Sequence, residues 1–179
     1  MTPNYYIDFK LCDAMGFAPG AAAIAVKKIH QLIKDKALTL AIYLPEKRTF
    51  DYVRVFAEDL ATLNAVMVLF GEDNRLSQHY RAAAISQVPS DFDGKWVAIT
   101  RYRLYGKKDK QDKPEYHQKR IDDFTRMKLN FLRINSKSTG QVFTLAIEYD
   151  YQTSPTKTGG ALNSYGLSIK HNPVFLPVI

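Results

Sequence analysis

Tyr5-Tyr6-Ile7-Asp8-Phe9-Lys10-Leu11, and the run 21–35 that follows a Gly- and Pro-containing break, decide the fold of this chain. Tyr5, Ile7, Phe9 and Leu11 alternate with Tyr6, Asp8 and Lys10, the period of two that marks a half-buried strand. In the second run Ala22, Ala25, Val26, Ile29 and Ile33 make one apolar stripe. Lys27, Lys28, Gln31 and Lys34 face away, so the period has become that of a helix. A strand over 38–44 comes next, with Leu38, Leu40, Ile42 and Leu44 alternating until Pro45 stops it. A third strand covers 52–56. Glu58-Asp59 starts a short helix through 65, and 80–88 supplies a fourth strand. The order is β-α-β-β-α-β, that of a ferredoxin-like (RRM-like) domain. Many unrelated proteins share this order, so it says little about function.

Pro89-Ser90-Asp91-Phe92-Asp93-Gly94 is rich in turn residues and reads as a linker. Beyond it lie an expected strand (95–104), a polar basic loop (106–114), a helix (115–128) and an antiparallel pair (129–134 and 141–150). The turn 136–140 joins that pair, and a Thr-, Ser-, Pro- and Gly-rich loop follows at 152–160. The expected architecture is therefore α+β. A ferredoxin-like domain over 1–90 carries a helical histidine, and a smaller basic α+β domain occupies 95–179.

Of 179 residues, 46% are hydrophobic and 24% charged, ordinary for a soluble globular chain. No run approaches the roughly 18 apolar residues of a membrane helix. One cysteine, Cys12, excludes an internal disulfide and a multi-cysteine zinc site. The N-terminus lacks the basic-then-apolar layout of a signal peptide, and a reducing cytoplasm is the expected location. The net charge of +7 is unevenly placed. Residues 95–137 hold 13 Lys and Arg against 5 Asp and Glu, and the rest of the chain holds 12 against 13. Such a concentration suits a polyanion, whose condensed counterions it would release; it also fits a solvated basic face. Tyr102, Tyr105 and Tyr116, interleaved with the basic residues, can stack on bases and favour RNA.

Three short features carry chemistry. Ser136-Lys137-Ser138-Thr139-Gly140-Gln141-Val142-Phe143 and Ser164-Tyr165-Gly166-Leu167-Ser168 lie near the C-terminal end, and His30 lies on the first helix. RNA can be cut by its own 2′-hydroxyl if a base takes the proton and donors fix the reacting groups. Imidazole suits the base because it titrates near neutral pH. Among His30, His79, His117 and His171, only His30 flanks an ordered apolar stripe, next to Val26 and Ile33. Read alone, it is first of all a boundary histidine, and Ser-Thr-Gly first of all a hairpin turn. The acidic residues are scattered, with no His pair or Cys cluster to hold a metal.

In order and separation, these three features resemble the type I-F CRISPR RNA-processing endoribonuclease of the Cas-six superfamily. That family has a Ser-x-Ser-Thr/Asn-Gly-Gln-x-Phe run, a Tyr-Gly-Leu-Ser run near its end and a helical histidine about thirty residues in. The likeness is best around His30 and from Arg101 onward, whereas 45–95 match in outline. It implies a metal-independent endoribonuclease, with no cofactor, that cuts CRISPR repeat RNA at the 3′ base of a hairpin. The products would be a 5′-hydroxyl and a 2′,3′-cyclic phosphate. The enzyme would then hold the mature guide as a subunit of a surveillance complex.

By the same resemblance, His30 would be the general base, Ser136 would position the 2′-hydroxyl, and Tyr165 would orient His30. Ser138 would be a neighbouring polar contact. Arg101 would read a guanine edge, for which a bidentate guanidinium is suited. Arg103 stands where members often carry glutamine. Phe143 would stack on the terminal base pair, although it also reads as a core strand residue. The family's arginine-dense helix is thinned here to Lys119, Arg120, Arg126 and Lys128, with Asp122-Asp123 between them. Lys107, Lys108, Lys110 and Lys113 of the preceding loop would share its work. The competing readings are a catalytically silent hairpin-binding subunit and a general basic RNA-binding protein. The aromatic signature of an RNA recognition motif is absent, which disfavours the latter.

Overall fold

The computed structural model describes residues 1–12, 18–46, 50–104, 111–136, 140–153 and 159–179. Among them the fold is α+β, with two antiparallel sheets and four helices. The first sheet is built from β1 (Tyr5–Leu11), β2 (Ala41–Tyr43), β3 (Tyr52–Ala57), β4 (Tyr80–Ala82) and β5 (Ser86–Gln87). Its strand order is β2-β3-β1-β4, with β5 also on β1. β1 keeps its expected alternation: Ile7 and Phe9 are buried, while Asp8 and Lys10 are not. Asp8 faces Arg54 across the β1–β3 ladder, and the carboxylate takes two hydrogen bonds from the guanidinium, at 2.6 and 2.9 Å. Burial works against the Arg54 charge, but its bonds to Asp8 and the attraction of that carboxylate outweigh this and leave its pKa raised.

Helix α1 (Ala18–Lys36) starts three residues before the expected position, with Pro19 and Gly20 inside its first turn. Proline is tolerated there because the first helical N–H groups have no intrahelical acceptor. Its buried face is Ala21, Ala22, Ala25, Val26, Ile29 and Leu32. Leu32 thus takes the place expected of Ile33, which is only partly buried. β2 also departs from expectation. Leu40 to Leu44 are buried without alternation, because this strand is covered on both sides. Ile42 N–H, at the outer edge of β2, donates to the carbonyl of Gly166 at 2.9 Å. Helix α2 (Leu60–Gly71) runs further than expected, capped by the Asp59 carboxylate on Thr62 N–H. A short α3 (Asn74–Ser77) follows it. The expected strand over 80–88 is two short strands, both paired with β1.

The second sheet joins β6 (Trp96–Tyr102), β7 (Asn130–Asn135), β8 (Val142–Gln152) and β9 (Leu176–Pro177) in the order β7-β8-β6-β9. β9, which pairs with β6, was not expected. It is two residues long, too short for a periodic signal. Helix α4 (Pro114–Arg126) ends before Lys128, which has φ 49°. Its residues are exposed or half-buried, and it leans on a small cluster of Tyr102, Leu129, Phe124 and Phe131. Val97, Ile99, Leu132, Ile134, Leu145 and Ile147 of the second sheet join Ile7, Phe9, Val26 and Ile29 in one continuous core. α1 packs on β7. Among the described residues no helix is long and apolar enough to cross a membrane.

Candidate active site and nucleic-acid interface

Strand periodicity carries the core face of the second sheet straight into the site. On β6, Val97 and Ile99 belong to the core and Arg101 continues the same face, with Arg103 exposed just past the strand's end. On β8, Ile147 and Leu145 precede Phe143 on that face. On β7, Leu132 and Ile134 lead one step further to Ser136, whose N–H donates to Gln141 at 2.9 Å and so extends the ladder. Where apolar residues give way to Arg101, Arg103, Phe143 and Ser136, the core opens to solvent. His30 stands at the border of the buried α1 face, beside Val26 and Ile29, and is half-buried.

A turn from the C-terminal segment meets it. Asn163 Oδ1 accepts from Tyr165 N–H at 2.8 Å and from Leu167 N–H at 3.3 Å. The Asn163 carbonyl accepts from Gly166 N–H at 2.9 Å, and its own N–H donates to Leu167 at 2.8 Å. Side chain and backbone together close a tight polar turn, for which asparagine is suited. This turn presents two groups to His30. The Ser164 carbonyl lies 2.6 Å from Nδ1. The Tyr165 ring lies flat on the imidazole, with centroids 4.2 Å apart and 10° between planes. A carbonyl can only accept, so Nδ1 carries the proton and Nε2 of the neutral ring keeps its lone pair.

From Tyr165 the aromatic contacts continue outward. Phe143 meets the Tyr165 ring edge-on at 6.1 Å and 69°, and the Arg101 guanidinium lies 5.4 Å from the Phe143 centroid. His30, Tyr165, Phe143 and Arg101 thus form one connected file, and Ser136 lies at the end of the same β7–β8 pair. Arg101 Nε is buried without a hydrogen-bond partner among the described residues. Burial holds this guanidinium below its usual pKa, against an opposing pull from Tyr165 and with the neighbouring Arg103 charge adding to the depression. A cleft of about 390 Å³ opens beside it, lined among others by Arg103, Arg120, Glu148, Tyr165 and Lys170. Glu148 is paired with Lys170 at 3.1 Å, leaving the cleft cationic. A larger cavity of about 480 Å³ lies near Trp96, at the other end of β6, and contains none of the candidate residues.

The remaining basic candidates are spread out. Arg120 lies 3.8 Å over the Tyr102 ring, and its guanidinium donates to the Arg103 carbonyl at 3.1 and 3.3 Å. It docks α4 on β6. Arg126 is exposed and paired with Asp123 at 2.6 Å, and Lys119 is exposed on the same helix. Lys113 is the residue before α4. Lys107, Lys108, Lys110 and Ser138 lie outside the described residues. Sequence reasoning missed Asn163, whose signal was its place at the head of Asn-Ser-Tyr-Gly, a run of turn-forming residues. The Ser164 carbonyl is a backbone group and had no signal of its own. Among the described residues no group of three or more His, Cys, Asp or Glu side chains converges.

A family model described as CRISPR-associated protein (Cas_Csy4) matches residues 6–175. No curated protein matches the chain.

Gly166 fixes the turn against β2. It has φ 72°, and a Cβ there would lie 2.8 Å from the Leu40 carbonyl oxygen. Left-handed backbone costs a residue with a Cβ about 1–2 kcal/mol, and the contact with a backbone oxygen adds to this. Gly166→Ala is therefore expected to lower stability by at least about 1–2 kcal/mol in urea titration. An unchanged midpoint would show that the turn accommodates a side chain.

Proposed function

We propose, since the chain belongs to the CRISPR-associated Cas_Csy4 family, that it is a metal-independent endoribonuclease acting on CRISPR repeat transcripts. The family supports CRISPR-associated RNA processing and nuclease activity in general. Our finer reading is cleavage at the 3′ base of a repeat hairpin. The 2′-hydroxyl oxygen attacks the adjacent phosphorus, its proton passes to His30, and the bond from phosphorus to the 5′-oxygen breaks. The products are a 2′,3′-cyclic phosphate and a 5′-hydroxyl.

The observation that carries this reading is the 2.6 Å contact between His30 Nδ1 and the Ser164 carbonyl, from which the proton on Nδ1 is deduced. With Nδ1–H held by the Ser164 carbonyl at 2.6 Å, Nε2 is the free lone pair of a ring stacked on Tyr165. That is the state a general base needs before the reaction begins. Ser136 would position the 2′-hydroxyl. Arg101, whose buried Nε has no partner among the described residues, would read a guanine in the stem, and Phe143 beside it would stack on the terminal base pair. Arg103 would contact the next position, with Ser138 as a further polar contact. Lys119 and Arg126 of α4 would face phosphates, with Lys107, Lys108, Lys110 and Lys113. Arg120 would contribute mainly by holding α4 in place.

Two lobes would divide the work: a ferredoxin-like lobe over 1–90 that supplies His30, and a basic lobe over 95–179 that supplies the remaining groups. The strand order β2-β3-β1-β4 supports the first assignment. The protein would keep its hairpin product and serve as a subunit of a type I-F surveillance complex in the cytoplasm.

Positioned base catalysis contributes about 10²–10⁴ in rate. His30→Ala is expected to lower single-turnover cleavage by that factor while hairpin affinity changes little, and Ser136→Ala to act in the same direction. Excess chelator is expected to leave the wild-type rate unchanged. A chelator-sensitive rate restored by Mg²⁺ would overturn the mechanism. Tight binding by a wild-type protein that cuts no repeat would leave a silent hairpin-binding subunit.

The loop lysines give a separate expectation. If Lys107, Lys108, Lys110 and Lys113 face phosphates, neutralising all four weakens hairpins of equal stem length alike. The log–log salt dependence of binding then becomes shallower by about 0.7–0.9 for each phosphate that no longer meets a lysine. An unchanged slope in a filter-binding series would make them bystanders.

A further inference from the structure

We infer that Asn163 is a positioning residue for this reaction: its side-chain oxygen builds the turn that holds the Ser164 carbonyl on His30 Nδ1. Asn163 is half-buried, and its Oδ1 accepts the N–H groups of both Tyr165 and Leu167. These bonds fix the direction of the peptide between Ser164 and Tyr165. One end of that local structure aims the Ser164 carbonyl at Nδ1, and the other lays the Tyr165 ring on the imidazole. Which ring nitrogen of a neutral histidine bears hydrogen is set by the bond the other one makes. A single amide oxygen thereby controls a proton location two covalent segments away, without touching His30 or the substrate.

The remainder of the turn does not substitute for it. Gly166 N–H and Leu167 C=O bond to the Asn163 backbone, which any residue supplies. The Tyr165 and Leu167 N–H groups converge on the side chain alone among the described residues. Without Oδ1 both donors lose their acceptor, and the Ser164–Tyr165 peptide is free to rotate. The imidazole can then take the other tautomer, with hydrogen on Nε2 and no lone pair facing the substrate. Aspartate retains an acceptor oxygen at the same reach, whereas alanine has none.

The rate arm of the test rests on the cleavage reading above, and the spectroscopic arm does not. Wild type, Asn163→Ala and Asn163→Asp are labelled with ¹⁵N in histidine, and the His30 ring nitrogens are read by NMR at a pH where the ring is neutral. Single-turnover cleavage and hairpin affinity are measured on the same preparations. The expected result is Nδ1–H in wild type and Asn163→Asp, and a mixed or Nε2–H tautomer in Asn163→Ala. Cleavage by Asn163→Ala falls by about tenfold or more, a part of what a positioned base contributes, with near-wild-type affinity and with rescue by Asn163→Asp. An alanine variant with the wild-type tautomer, or with the wild-type rate, overturns the inference. If Asn163→Ala fails to fold, Nε2–H at His30 in wild type or in Asn163→Asp overturns it equally. Wild type that shows Nδ1–H yet cuts no RNA removes the cleavage reading and leaves the positioning of the ring intact.

Discussion

Where the turn at 163–167 meets the first sheet, Ile42 N–H donates to the Gly166 carbonyl at 2.9 Å, across an edge with no room for a Cβ at position 166. An edge strand ordinarily presents unpaired N–H and C=O groups to solvent. Here that edge is used to hold a segment more than 120 residues away in the chain. The close approach has a direct consequence for chemistry. α1 and β2 contribute to the same continuous core, so fixing Gly166 against β2 also fixes Ser164 and Tyr165 against His30. Leu167 and Ser168 complete the anchorage. Leu167 is fully buried, and Ser168 bonds through its N–H to Ile99 and through its hydroxyl to Val174. The Tyr-Gly-Leu-Ser run thus joins the two sheets while presenting one ring to the histidine.

The shared core explains why the site is rigid on one side and open on the other. Side chains of β6, β7 and β8 alternate, and on the inward face they are apolar until the strands reach the end nearest α4. There the same face carries Arg101, Phe143 and Ser136. Arg101 brings a positive charge to the margin of the core, where burial opposes it and no described acceptor meets its Nε. A buried donor left unsatisfied is unfavourable in the free protein, and an acceptor from a ligand relieves that cost on binding. Arg101, Phe143 and Ser136 therefore lie on, or at the end of, core strands rather than at loop tips. This limits how far they can shift when RNA arrives.

Much of this was legible in the residues. β1 was read at its observed bounds because one of its faces is buried and the other is not, which makes alternation visible. α1 was read from its stripe, with an error of three residues at the start, where Pro19 signals a break as well as it signals a first turn. β2 was read too long because the alternation of Leu38, Leu40, Ile42 and Leu44 runs on either side of the three paired residues, Ala41–Tyr43. β9 was missed because two residues carry no pattern. The site was legible in part: His30, Tyr165, Phe143 and Arg101, chosen from separate stretches, meet in one file. Asn163 and the Ser164 carbonyl were not chosen, because their contribution lies in the direction of a peptide bond. Arg120 was expected as a nucleic-acid contact from the resemblance to the family's arginine-rich helix, and its packing on Tyr102 needed the tertiary structure to be seen.

The central claim is that the RNA's own 2′-oxygen is the nucleophile, with His30 as the group that takes its proton. The most direct measurement uses a repeat hairpin carrying a single deoxyribose at the nucleotide whose 2′-hydroxyl would attack. The account predicts that this RNA binds as tightly as the all-ribose hairpin and stays intact over times at which the latter is fully cut to a 2′,3′-cyclic phosphate and a 5′-hydroxyl. Cleavage of the deoxy-substituted hairpin at the normal rate would contradict it, and would assign the attack to water or to a protein side chain.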